Sequence, residues 1–383
     1  MMSGTEHYME IDNQSVFEQY LDSAARATRY AIDTEFHRER TYYPDLALIQ
    51  MRFLDAEKTP RGALIDPKAL DLSPLTGLFG SDALALMHAP TQDFDVFEHE
   101  VGCLPSRFFD TQVAAGFLGF SSASLASLAQ RYAKVSLSKG DRLSDWNRRP
   151  LSVSQKRYAY SDVEHLEQIT DVMVHELSNR NRLDWVDSAF RELLSARRPP
   201  LDPYEAWRSI SEGRTLDQPR RGALIELAAW RELKARELNL PPRRICGDIV
   251  LVCIAQRLPE READFLEVRG FTKGRLMDPA VLLPLISAGR RRPLPAAPPR
   301  NHSADQRAVA LISAYVAALA LEQEIDRALL ATREDIEMYL TGSSTKLTST
   351  WRTQLLGTTL DELADGTLAL ALAPSGGFRL VRA

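Results

Sequence analysis

Apolar positions follow two rhythms along the chain. Between residues 30 and 88 they come in short, dense runs. Residues 30–36, Leu46–Phe53, Ala63–Ile65 and Ala83–His88 read as strands. The last is so wholly apolar that a cover on both faces is implied. The run at Ala63 stops at Asp66-Pro67, where proline cannot continue a ladder. Helical spacing surrounds these runs. Phe17, Tyr20, Leu21 and Ala24 mark a helix over 16–29, and Leu70, Leu75, Leu78 and Phe79 mark another segment. A further helix starts near Thr91 and includes Asp93, Phe94, Val96 and Phe97. Strands first, then strand–helix alternation, predict a mixed α/β sheet.

From Asp110 onward the rhythm is helical. Asp110 can N-cap Thr111–Phe120, and Leu125, Leu128, Ala129 and Tyr132 form the next stripe. Residues 137–150 are polar, basic and interrupted by glycine, which predicts a surface loop. Ser152-Val153-Ser154-Gln155 fits a capping box. The helix it opens should run to about Asn179, with Asp162, Leu166, Ile169 and Met173 on one face and Tyr158 one turn before Asp162. Pro-rich stretches at 194–203 and 290–300, the latter entered through Gly289, divide the remainder. Residues 204–286 read as all-helical, 303–340 as helical again. Leu368–Leu372 and Phe378–Val381, bracketing Pro374-Ser375-Gly376-Gly377, predict a small hairpin.

A chain of 383 residues is long for one core, so two or three domains are expected. Hydrophobic content of 44% and charged content of 26% are ordinary for a globular protein. Cys103, Cys246 and Cys253 form no close-spaced metal or redox motif, and an odd, sparse count suits a reducing cytosol. No leader-like segment and no apolar run near ~18 residues is present, so the expectation is a cytoplasmic protein without a membrane partner. The net charge of −5 argues at first against a nucleic-acid partner. Its distribution changes that picture: residues 1–200 carry −7, 201–300 carry +5 and 301–383 carry −3. The basic middle segment is the footprint of a phosphate-contacting module or of an Arg-rich solvated surface.

The chemistry sits in the first strand. Asp33 and Glu35 are spaced by one residue, so a strand turns both carboxylates to the same side. Either the strand end drifts into solvent or a divalent cation with oxygen ligands relieves the repulsion. Asp162 heads the apolar stripe of its helix, and Tyr158 precedes it on the same face. Read alone, that pair is first of all a core aromatic with an exposed first-turn acid. Asp33, Glu35, Asp93 and Asp162 together form a set that two Mg²⁺ or Mn²⁺ ions could use, with Tyr158 beside an attacking water.

In these motifs the chain resembles ribonuclease D, within the DEDDy group of 3′–5′ exonucleases. Ala31-Ile32-Asp33-Thr34-Glu35-Phe36 matches the family's first motif, followed by Arg40-Thr41-Tyr42-Tyr43-Pro44, Leu48-Ile49-Gln50 and Leu64-Ile65-Asp66-Pro67. His88-Ala89 with Asp93 matches the second. Asp110-Thr111-Gln112, Asp145-Trp146 with Arg149-Pro150-Leu151, and Tyr158 with Asp162 complete the set. The resemblance is close over residues 15–190. Ala206-Trp207-Arg208, Leu227-Ala228-Ala229-Trp230-Arg231, Ala235-Arg236, Leu240-Pro241 and Ile254-Ala255 through Pro259 resemble an HRDC domain. The last stretch is similar to a second, divergent HRDC-like domain, with Trp351-Arg352 its best match and the terminal hairpin a departure. Pro90 also departs, in place of a small residue. Asp95 is a rival to Asp93, but the motif spacing favours Asp93.

The resemblance implies a ribonuclease H-like exonuclease domain with a mixed sheet at 1–198, an all-α HRDC domain at 204–288, and a divergent HRDC-like helical domain at 301–383. It implies a metal-dependent exoribonuclease that removes nucleotides from RNA 3′ ends and releases 5′-mononucleotides. The implied substrates are tRNA precursors and small structured RNAs, and the favoured state is a monomer. Asp33, Glu35, Asp93 and Asp162 would hold two divalent ions, and Tyr158 would position water. The competing expectations are a DNA exonuclease of the same class and a catalytically silent RNA-binding scaffold.

Overall fold

The computed structural model describes residues 8–137, 140, 141, 144–197, 199–274, 276–293, 304–348, 350–374 and 377–382. The chain forms two compact units. One comprises 1–35, 46–196 and 300–383; the other comprises 36–45 and 197–299.

The first unit opens with β1 (Tyr8–Ile11), α1 (Gln14–Ala25), β2 (Arg29–His37), β3 (Asp45–Leu54), β4 (Pro60–Ile65), α2 (Leu75–Phe79) and β5 (Leu84–Met87). Then come α3 (Thr91–Glu100), β6 (Phe108–Asp110), α4 (Thr111–Gly116), α5 (Leu125–Leu128), α6 (Val153–Glu164), α7 (Leu166–Asn179) and α8 (Leu183–Ser195). The six strands lie in the order β1-β4-β3-β2-β5-β6. β3 is antiparallel to β4, while β1/β4, β2/β5 and β5/β6 are parallel, so the sheet is mixed as the pattern predicts. The apolar density of the strand runs reflects cover on both faces. Tyr30, Ala31 and Ile32 are all buried, as are Leu46–Met51 and Ala85–Met87.

Four local expectations need correction. The first helix ends at Ala25 rather than 29, because Arg29 already pairs with Leu84 as the first residue of β2. Asp110 does cap α4, its carboxylate accepting from the Gln112 N–H, but that helix stops at Gly116 instead of Phe120. Gly119 takes φ +91° and the Phe120 N–H returns to the Ala115 carbonyl, a left-handed stop that favours glycine. The Ser152–Gln155 capping box is present, yet the long helix is broken at His165 (φ −109°, ψ −1°). The break separates two demands on one stripe: Leu166, Ile169 and Met173 go into the core, while Asp162 stays half-buried on α6. The polar loop before α6 is not all surface. Trp146 is buried within it, and Arg149 ties its end to the strands. The Arg149 guanidinium bonds both Asp66 oxygens (2.5 and 2.8 Å) and the Ala47 carbonyl (2.7 Å).

The second unit is helical, with α9 (Gln218–Glu237), α10 (Pro242–Ile245), α11 (Asp248–Arg257) and α12 (Pro279–Arg291), preceded by 3₁₀ turns at Pro203–Ser209 and Ser211–Thr215. Its core gathers Trp207, Leu224, Leu227, Leu251, Ile254, Phe265, Leu282 and Ile286. The expected linker does not begin at Gly289. That glycine lies inside α12, where a Cβ would stand 2.4 Å from the Ala223 Cα; a Cβ on Gly222 would stand 2.0 Å from the Gly289 carbonyl oxygen. Two facing glycines let α9 and α12 meet backbone to backbone. Residues 294–300 of that linker lie outside the described residues. Within this unit, segment 36–45 is held on α9. Asn239 Oδ1 accepts from the N–H groups of Tyr42 (3.1 Å) and Tyr43 (3.0 Å), and the Tyr42 hydroxyl meets Glu232 and Arg236.

The C-terminal part of the first unit adds α13 (Gln306–Glu322), α14 (Arg327–Leu330), α15 (Arg333–Leu340), α16 (Thr350–Leu356), α17 (Thr359–Ala364) and the antiparallel hairpin β7 (Leu368–Leu372)/β8 (Phe378–Arg382). The hairpin strands fall where the sequence placed them; Ser375 and Gly376 between them lie outside the described residues. Trp351 stacks on Trp185 with centroids 5.4 Å apart. Arg352, 2% exposed, reaches Glu192 at 2.6 Å and the carbonyls of Leu329 and Leu330. Arg182 donates to the carbonyls of Phe117 (2.6 Å) and Gln323 (2.5 Å). These buried guanidiniums fill carbonyls that a helix end would otherwise leave without donors.

Candidate active site

β2 carries Asp33 at its middle and Glu35 two residues on, flanking the buried Thr34. The apolar run Tyr30–Ile32 anchors this strand in the sheet, so the two carboxylates are fixed by a rigid element. Asp93 lies in the first turn of α3 and is buried, whereas Asp95 on the same helix is exposed. α6 brings Tyr158 and the half-buried Asp162.

These acids feel one another. The Asp33 carboxyl is held well above its usual range, first by burial, then by the charges of Asp93, Asp162 and Glu35; a backbone hydrogen bond from Thr34 opposes this. Burial pushes Asp162 up to about 7. Thr34 donates its hydroxyl to Asp93 Oδ1, which ties α3 to the strand between its two acids. Among the described residues, no three His, Cys, Asp or Glu side chains close on a single point at metal-ligand geometry. The acids are neighbours in charge rather than a finished coordination shell. Their chemistry still fits a hard divalent cation, since the set is all carboxylate oxygen and burial penalises its charge.

The pattern named several supporting residues, and the Asp110 cap, without showing what else they touch. Asp110 has two tasks, capping α4 at Gln112 N (2.8 Å) and accepting from the Ala89 N–H (2.9 Å). Ala89 sits at φ +55°, a left-handed turn just before α3, so Asp110 braces the approach to Asp93. Burial raises Asp110 to about 6 despite these hydrogen bonds. His88 Nδ1 lies 2.9 Å from Thr111 Oγ1, and burial lowers its pKa to about 4, so the ring is neutral at pH 7. Trp146 packs beside Tyr158 with centroids 6.0 Å apart. In the sequence only the short His-Ala, Asp-Thr-Gln and Asp-Trp motifs point toward these contacts.

The site and sheet together define a 3′–5′ exonuclease. A family model described as 3'-5' exonuclease matches residues 8–178, and one described as HRDC domain matches 221–278. The chain belongs to the ribonuclease D family. It is 33% identical to ribonuclease D of Zymomonas mobilis subsp. mobilis over 374 residues, which covers 91% of this chain and 92% of that protein. It is 31% identical to ribonuclease D of Bartonella henselae over 388 residues, covering 97% and 94%. The crystal structure of Escherichia coli RNase D, described as an exoribonuclease involved in structured RNA processing, is similar with a TM-score of 0.81 at 28% identity, over 94% of this chain and 99% of that one. The protein is accordingly a 3′–5′ exoribonuclease. Enzymes of this superfamily are generally dependent on divalent metal ions. No helix among the described residues is long and apolar enough to cross a membrane.

Proposed function

We propose that this exoribonuclease trims the 3′ ends of small structured RNAs, tRNA precursors among them, and releases 5′-mononucleotides. Asp33, Glu35, Asp93 and Asp162 would hold two divalent ions, Mg²⁺ or Mn²⁺. When bound, such ions supply Lewis acidity at the scissile phosphate and lower the pKa of water. The chain's own residues do the rest. Thr34 keeps the Asp93 carboxylate facing the strand. Tyr158, steadied by Trp146, is the group that would orient the attacking water by its hydroxyl. A single-stranded 3′ end suits a site of this kind, since the last nucleotide must reach the acids.

The observation that carries this reading is the crowding of Asp93, Asp162 and Glu35 around Asp33, a cost that a cation would remove. The names of the relatives support RNA over DNA. Digestion of matched RNA and DNA oligonucleotides, beside a tRNA precursor with a 3′ extension, tests the substrate. Preference for RNA and for the precursor extension supports it; equal digestion of DNA contradicts it.

A further inference from the structure

A cavity of about 1160 Å³ lies in the first unit, away from the carboxylates. It opens where β2 and β5 begin and β3 ends, lined by Ala27, Thr28, Leu84 and Leu54 among others. Asp33 and Glu35 lie four and six positions along β2 from Arg29, which at strand rise is about 13 and 20 Å. The two places are therefore distinct.

The lining has two chemistries. Arg26, Lys58, Arg61 and Arg107 bring positive charge to a chain segment whose net charge is −7. Arg61 is paired with Asp55 at 2.8 Å, and the cavity's Arg29 is paired with Glu167 at 2.9 Å. Arg26, Lys58 and Arg107 make no ion pair among the described residues. Arg26 meets only the Ser23 hydroxyl at 3.4 Å, and Arg107 donates to the Asp82 carbonyl at 3.0 Å; both acceptors are neutral. Among the described residues, Glu57 is the one acid of the wall outside the ion pairs. Beside this rim lie Met9 and Val16, large apolar side chains left 46% and 42% exposed, above the packed Tyr20–Phe53 ring pair.

Uncompensated guanidiniums next to exposed apolar surface, in a cavity large enough for a drug-sized ligand, match one ligand chemistry. We propose that this cavity binds a nucleotide, its phosphate on Arg26 and Arg107 and its base against Met9 and Val16. The nucleotide is either free or a residue in the body of an RNA whose 3′ end is elsewhere.

The test uses the full-length chain and the variants Arg26→Glu/Arg107→Glu and Lys58→Glu. All three positions are exposed, so folding is retained, which an unchanged melting curve verifies. Binding of 5′-AMP is measured in EDTA, and hydrolysis kinetics are measured on a dinucleotide and on a long structured RNA. If the source is a free nucleotide, 5′-AMP binding weakens at least tenfold in the double variant. If the source is RNA, KM for the long RNA rises at least tenfold while kcat and dinucleotide hydrolysis are unchanged. Arg29, where β2 enters the cavity, is about 13 Å along the strand from Asp33, beyond a Debye length of about 8–10 Å, so charge reversal at the rim is screened from the acids. Unchanged 5′-AMP binding together with unchanged KM for long RNA overturns the proposal. A dinucleotide rate that falls in parallel with the long-RNA rate also overturns it.

Discussion

Thr34 donates its hydroxyl to Asp93, so the residue between the two strand acids holds the third. This explains why the stretch Asp33-Thr34-Glu35 works as a unit. The acids face one environment, and the hydroxyl draws in a helix that begins far along the chain. Removing it with Thr34→Val leaves shape and burial nearly intact but takes this hydrogen bond from the Asp93 carboxylate. The loss of a hydrogen bond to a charged group, about 1.5–3 kcal/mol, should lower kcat/KM by roughly 10- to 100-fold in Mg²⁺. Single-turnover hydrolysis of a labelled RNA 3′ end measures it, and wild-type rates would show that Asp93 needs no such tether.

Tyr158→Phe removes only the hydroxyl, and the ring keeps its packing against Trp146. The rate should fall on the order of 10²-fold, as for a lost acid–base or water-orienting group. Metal affinity, read by calorimetry, should stay within a factor of two or so of wild type. A variant that binds metal poorly would place Tyr158 in support of the ligands instead of beside the water.

The pH behaviour follows from the raised acids. Asp33 is raised and Asp162 reaches about 7, both above the unfolded carboxylate value near 3.9. The folded chain then holds more protons than the unfolded chain between those values. In the absence of metal these two acids make stability fall as pH rises from about 4 through 7. A cation must displace the same protons below about pH 7, so its apparent affinity grows with pH up to that point. Adding Mg²⁺ should raise Tm more at pH 8 than at pH 6, measured by differential scanning fluorimetry against EDTA. An equal rise at both values would contradict the assignment of Asp162.

Arg352→Ala should destabilise the first unit without touching the acids. The guanidinium is 2% exposed and bonded to Glu192 and to the carbonyls of Leu329 and Leu330. Its removal leaves buried acceptors unmet, at a cost of roughly 3 kcal/mol or more. Denaturant unfolding followed by the Trp185 and Trp351 fluorescence reads this loss. A variant as stable as wild type would mean that the buried Arg352 contacts add nothing net to the packing of α14 and α16 on α8.

The strands were legible because covered strands are dense apolar runs. The acids stood out as candidates by their motif spacing alone, since they occupy no common kind of position: Asp33 is at the middle of β2, Asp93 in the first turn of α3 and Asp162 in the last turn of α6. Asp93 was separable from Asp95 by spacing, and the burial of one and exposure of the other gives that choice a physical form. What was not legible is long-range and polar. Nothing near Arg149 in sequence announces Asp66, and nothing near Arg352 announces Glu192. Trp146 hid in a polar loop because a single buried aromatic has no period to detect. The break at His165 was concealed by a stripe that continues in register across it, since periodicity sees which residues are apolar and not where a helix turns aside.

Asp33 and Asp162, brought from β2 and α6, are proposed to hold the ions that make hydrolysis possible. The direct measurement is RNA 3′-end hydrolysis in Mg²⁺ and in Mn²⁺ by wild type, Asp33→Ala and Asp162→Ala. Each variant is expected to lose on the order of 10³-fold or more of the wild-type rate, equivalent to about 4 kcal/mol of transition-state stabilisation. Each should also remain folded and weaken in metal affinity. Wild-type activity in either variant would contradict the account and remove that acid from the site.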